Sequence, residues 1–502
     1  MKKSTKFMAV VLAVLFILNI LLSCSKTTNN VSVEKDNTIS GGQDGGGSNA
    51  EDGAVQAKLE PDLPDMDFNG YTFTFLTHLY SGDDWISSTP LEFVSEEETG
   101  EPLNDAVYKR NSIITERYNI DIKIVPASDE RGALNKAVKA GDSLYDAVLM
   151  FNNNVPGVVT NDLLLDTSNL PYIDLSKPWW DPAIKSMSIM NKNYLLAGDI
   201  LILDNEATNC LIFNKNLMAN LGIELPYNAV KKGKWTMDML NITIKGTAAD
   251  LNGDGEMRPY DDRWGLSVFN DTLLALLISG GGSLAEKNSD DIPYMSFNSE
   301  RNIAVFEKAM SLYNPEYTVN MQNMPAGSAP YTKYGQEGFG EDKILFMWTR
   351  MRVVEKYRGM ESNFGIVPMP KYDEGQERYY SLVNPYTGAL LGVPKTAEDL
   401  ERVSIILEAM AAEARYTIQP AYYDVVLQRK YVRDEESGEM LDIIFNSRVY
   451  DIGSIYSFGN IASEILNLAK DRNGNILTLY ERKLGAMEAA IEKIVAIFES
   501  MQ

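Results

Sequence analysis

Histidine is nearly missing from this chain: 502 residues include one, His78. Cysteine is almost as scarce, with Cys24 and Cys210 alone. Zinc centres of His and Cys, and Ser–His or Cys–His catalytic pairs, therefore lack the partners they require. Acid–base chemistry would fall to Asp and Glu. His78, near the end of an expected strand, reads as a loop residue. Cys210, in Cys210-Leu211-Ile212-Phe213, reads as a small buried hydrophobe. Basic charge is also short: 46 Lys and Arg stand against 70 Asp and Glu, a net charge of −24. That balance excludes charge-driven binding of nucleic acid or anionic lipid, and it disfavours phosphorylated ligands.

Phe7 to Leu22 is apolar apart from Asn19 and follows Lys2, Lys3 and Lys6. A membrane span needs about 20 apolar residues, so this shorter run suits the hydrophobic region of an export signal, residues 1–23. Its end, Leu21-Leu22-Ser23-Cys24, resembles a bacterial lipobox. The resemblance implies that Cys24 is acylated, palmitate included, and becomes the first residue of a membrane-anchored chain. Removing residues 1–23 takes three Lys and no acid, leaving 43 basic against 70 acidic residues, or −27. Residues 24–62 are rich in Thr, Asn, Ser and Gly around Gly41-Gly42-Gln43-Asp44-Gly45-Gly46-Gly47, a composition that reads as a flexible tether. About 440 residues follow, too many for one ordinary core, so two lobes are expected.

Tyr71 to Leu76 alternates as a strand should, and Leu103 to Tyr118 has helical apolar spacing after Pro102. Ile120 to Val125 reads as a second strand, Arg131 to Ala140 as a helix, and Tyr145 to Phe151 as a buried third strand. That alternation predicts a parallel sheet with crossover helices. A second α/β unit restarts at Leu211. The long helix is expected over Ala397 to Thr417, and an amphipathic one over Tyr480 to Met501. The expected division is 63–204 for the first lobe, 205–381 for the second, 382–460 returning to the first, and 461–502 as closing helices.

Several segments, in order, resemble extracellular solute-binding proteins of family 1, the family of maltose-binding protein. They are Tyr145-Asp146-Ala147-Val148, Tyr172 to Trp180, Phe213-Asn214-Lys215, Gly233-Lys234-Trp235-Thr236 and Phe364 to Lys371. The resemblance runs from about 65 to 430. It implies an α/β, two-lobed periplasmic-binding-protein-like fold of type II, with the ligand cleft at the hinge. It also implies an acidic ligand contact at Glu206, one residue being inserted before Phe213, and a sugar-stacking Trp348.

Sugars offer apolar C–H faces to flat aromatics and hydroxyls to Asp, Glu, Asn or Arg. In open α/β sheets ligands lie outside the carboxyl ends of strands. The candidates there are Tyr80, Trp85, Asn152, Asn153, Trp180, Glu206, Trp348, Arg350 and Tyr386. Trp179 and Trp235 are assigned to packing. Asp250-Leu251-Asn252-Gly253-Asp254-Gly255 has the spacing of a calcium loop, with Asp250, Asn252, Asp254, the Glu256 carbonyl and Asp261 as donors for a structural ion. Arg258 and Pro259 suit such a loop poorly, and a plain Gly/Asx turn is the alternative.

These features predict a monomeric, non-enzymatic receptor on the outer face of the membrane, without organic cofactor, that binds a carbohydrate and hands it to an ABC importer. A surface glycosidase or lyase with carboxylates about 5–9 Å apart is one alternative. A receptor that feeds a sensor kinase is another.

Overall fold

The structure, a computed structural model, describes residues 58–80, 89–324, 331–354, 357, 362–427, 435–472 and 474–501. Cys24 and Trp85 lie outside the described residues. From Lys58 onward the chain forms one compact unit. No helix among the described residues is long and apolar enough to cross a membrane.

The first strands are β1 (Tyr71–His78), β2 (Ile120–Ala127) and β3 (Ala147–Phe151). Both β2 and β3 run parallel to β1, as the alternation of strands and helices predicts. Phe73 and Phe75 of β1 point into the core, and Phe75 stacks on Phe93 at 3.8 Å. Every residue of β3 is buried, which fits a continuous apolar run in mid-sheet. The helix Pro102–Tyr118 starts where Glu101 accepts the Asn104 N–H, and it ends at Asn119 in the left-handed region.

A second sheet follows: β4 (Asn209–Asn214), β5 (Trp264–Val268), β8 (Thr318–Asn320), β9 (Ile344–Arg350) and β10 (Phe364–Val367), in the order β10-β4-β9-β5-β8. A side hairpin pairs β6 (Ala285–Lys287) with β7 (Pro293–Met295). The chain then returns through β11 (Ser381–Leu382) to β12 (Ala389–Gly392), which pairs antiparallel with β3 and completes the first sheet as β12-β3-β1-β2. Late in the chain β13 (Arg448–Val449) lies along β11. The outward crossing, near residues 198–208, and the return, near 383–388, are bridged at Leu196–Leu391 and Thr208–Val383. Among the described residues no barrel forms, and the two large sheets make a two-lobed fold.

The long helix runs Leu400–Leu427, ten residues past its expected end, with Pro420 inside it. Pro420 forfeits one backbone hydrogen bond, but burial of Ile418, Tyr422 and Val425 holds the last turns. Val403 to Ala412 pack into the first-lobe core, whereas Ala414 to Val425 share a cluster with Cys210, Ile212, Ile344 and Phe364 of the second sheet.

Trp179 and Trp180 are both buried, and their indole N–H groups donate to opposite oxygens of Glu408 at 2.9 and 2.7 Å. Burial pushes the Glu408 carboxyl up to about 7, against the pull of those two bonds. Its protonated form is thus favoured in the folded state, so its share of stability declines as pH rises from the ordinary carboxylate range to about 7. Glu408→Ala strands two buried indole donors at about 1–3 kcal/mol each and should lower stability by about 2–4 kcal/mol in urea unfolding. A loss below about 1 kcal/mol would show that water serves those donors equally well.

Candidate functional site

At the carboxyl end of β3 the chain turns through Asn152–Asn154. Asn152 is fully buried, and its N–H donates to the Gly388 carbonyl at 3.0 Å. Neither its Oδ1 nor its Nδ2 has a hydrogen-bond partner. A Cβ on Gly388 would come within 2.6 Å of that Nδ2, so the return crossing lies directly against the amide. From the same crossing, Asn384 donates Nδ2 to Asp271 at 3.0 Å and its own N–H to the Ala207 carbonyl at 2.9 Å. First lobe, outward crossing and second lobe thus meet around one asparagine.

Asp271 stands just before the helix Thr272–Ser279. Burial pushes its carboxyl above the usual range, while the Arg350 guanidinium pulls it back. Tyr386 faces the same carboxylate; burial first, and then that negative charge, push its phenol up to about 12. Arg350 closes β9, and Trp348, two residues earlier, shares its face of the strand. The Trp348 ring is 3% exposed, tilts on Phe269 at 5.6 Å, and has an Nε1–H with no acceptor. Opposite Arg350 in register is Asn209, whose Nδ2 donates to the Leu382 carbonyl at 2.7 Å. The cluster offers amide, carboxylate, guanidinium, phenol and indole groups, which suit hydroxyls and a sugar face.

Of the residues expected from sequence, Asn152, Trp348, Arg350 and Tyr386 are brought together. Glu206 is buried on the outward crossing, with Arg352 at 3.5 Å. Asn153 is exposed beside them, and Asn154 instead binds Glu130, which also holds His78 at 2.9 Å. His78 is the last residue of β1 rather than a loop residue. Tyr80, two residues on, is half-buried. Trp180 is corrected: the Glu408 clamp makes it a core residue like Trp179, because a strand-like bridge to Gly198 turns it inward. Asp271 and Phe269 were not expected, whereas Asn384 stands out in the sequence as the first residue of Asn384-Pro385-Tyr386 at the return crossing. Asp271 has no local signal.

In the Asp250 loop, Asp250 accepts the Gly253 and Gly255 N–H groups, Asn252 accepts Asp254 N–H, and Asp254 accepts Glu256 N–H. Arg258 forms ion pairs with Asp254 and with the Glu256 carboxylate, so a cationic side chain already neutralises one expected donor, Asp254. The loop is closed by Asp262, which accepts Leu251 and Arg258 N–H, rather than by Asp261. Among the described residues no group of three His, Cys, Asp or Glu side chains is placed to hold a metal ion.

No protein-family model matches the chain, and no curated protein matches it. Solved structures do. A cyclo/maltodextrin-binding protein complexed with maltotetraose covers 89% of this chain and 98% of its own, with 14% identity and a TM-score of 0.52. UspC of M. tuberculosis covers 84% and 100%, with 15% identity and a TM-score of 0.53. RafE from Streptococcus pneumoniae covers 86% and 98%, at 14% identity and a TM-score of 0.50. The fold is that of the two-lobed solute-binding proteins. In such a fold the meeting of Asn152, Asn384 and Asp271 falls where the lobes are joined.

The close seat of the return crossing is itself testable. Gly388→Ala forces a methyl group against the Asn152 amide and the Asn384 carbonyl and should cost about 1–3 kcal/mol of stability. Unchanged urea unfolding would mean that the crossing shifts freely.

Proposed function

We propose that this protein is an extracellular, lipid-anchored receptor that captures a carbohydrate, an oligosaccharide in particular, between its lobes and delivers it to an ABC importer. The observation that carries this reading is the Asn152 amide: a fully buried side chain with neither polar atom bonded, set against the return crossing. Each such atom costs about 1–3 kcal/mol unless a polar partner reaches it. A ligand hydroxyl is that partner, and the Trp348 indole supplies a flat face and a second unmet donor. The complex of the similar cyclo/maltodextrin-binding protein with maltotetraose supports the same ligand class. Membrane attachment rests on the lipobox-like Leu21-Leu22-Ser23-Cys24.

Isothermal titration with maltotetraose and a panel of other oligosaccharides tests the reading. One of them should bind without turnover, and Trp348→Ala should weaken it by about 1–3 kcal/mol, the range for an aromatic anchor. Silence across the panel would overturn the ligand class, and unchanged affinity in the variant would remove Trp348 from the site.

Calcium at the Asp250 loop remains a separate proposal, in which the ion displaces Arg258 from Asp254 and Glu256. Millimolar calcium should then raise the Tm of the protein, whereas an unchanged Tm would leave Arg258 as the permanent counter-charge.

A further inference from the structure

The outward crossing carries buried charge for which the ligand reading has no use. Asp204 is fully buried, and Asp181, Asp199 and Glu206 are each at most 8% exposed. Arg448, from β13, reaches Asp181 at 2.8 Å through Nε and Asp204 at 3.5 Å through Nη1. That Nη1 also donates to Oδ1 of Asn205 at 2.5 Å. Arg415, from the helix Leu400–Leu427, donates to Asp199 at 3.0 Å. Around this node Glu206 is paired with Arg352, and Glu92 lies beside Arg110 while accepting the Ile202 N–H at 2.7 Å. Tyr450 faces Asp204 and Asp181, and Tyr423, bonded to Asp442, faces Arg448 and Asp199.

The charges nearest Arg448 do not balance. Three carboxylates, Asp181, Asp199 and Asp204, stand against two guanidiniums, Arg415 and Arg448. Asp181 and Asp199 hold the shorter contacts, so Asp204 is the surplus. A buried carboxylate without a full counter-charge is costly, and one proton removes the cost.

We propose that this node is a proton-operated latch on the hinge: a proton taken up at Asp204 fixes the outward crossing against the first lobe and β13, and its loss loosens that crossing. Burial, outweighing Arg448, pushes Asp204 up to about 7, and burial likewise pushes Asp199 up to about 6. A carboxyl raised in the buried arrangement keeps its proton there and sheds it once water enters. Acid therefore favours the closed node, and pH above 7 the loosened one. The latch concerns the hinge and holds whatever solute the cleft takes.

Hydrogen–deuterium exchange on the full, ligand-free chain, corrected for intrinsic rates, tests it. Peptides spanning 200–208 and 381–389 should be about tenfold less protected at about pH 8 than at about pH 5.5. The midpoint should lie near 7, the value for Asp204. Asp204→Asn, the neutral isostere, should keep the acid level of protection at both pH values. Wild-type protection that ignores pH, or a variant that follows the wild-type profile, overturns the latch. Should Asp204→Asn also lose protection in β3 and β4, and so misfold, the wild-type midpoint decides: near 7 supports the latch, and near 4 overturns it.

Discussion

Asn384 occupies the point where three stretches of chain must be held at once. Its backbone N–H is bonded to the outward crossing at Ala207, and its side chain to Asp271 of the second lobe. The turn it begins lays Gly388 on the Asn152 amide of the first lobe. A side chain of ordinary size at 388 would break that seat, so the geometry of the cleft rests on a missing Cβ. Asp271, Arg350, Tyr386 and Trp348 are placed by this contact as much as by their own strands and helices.

The same economy of polar groups appears away from the cleft. Glu408 holds two tryptophans with one carboxylate, and Arg448 holds two segments, at Asp181 and at Asp204-Asn205, with one guanidinium. Buried charge in both places ties together elements distant in sequence, where apolar contact alone would permit sliding. Both clusters are buried, and in both burial dominates over pairing. In the proposed latch the outward crossing answers to protons, although the chain has almost no histidine.

Much of the architecture was legible in the residues. The alternation in β1, the apolar run of β3 and the glycine and asparagine punctuation of the early helices report local physics, and the elements fall where they were expected. The end of the long helix was misjudged because a proline lowers local preference, while the burial that overrides it comes from the second sheet. Trp180 was misread for a related reason. Its aromatic–acid neighbourhood with Asp181 resembles a sugar site, but its true acid partner, Glu408, lies 228 residues away. Asp271 became visible only through its contact with Asn384, which no spacing encodes. Asn152, Trp348 and Arg350 stand out as candidates because β3 and β9 end there, and Tyr386 because it lies on the return crossing.

The closing of the first sheet has a consequence for how the protein comes into being. Its central strand β3 is apolar on both faces, and one edge is covered only by β12, which lies some 240 residues further along the chain. Until that late segment is available, one edge of this hydrophobic ribbon lacks its native partner, the other being held by β1. A chain that must wait for its own far end folds slowly, because the closing loop is long and is paid for before the contact rewards it. Such delay is consistent with the export proposed for this chain. It also leaves an apolar strand edge exposed while the chain is incomplete.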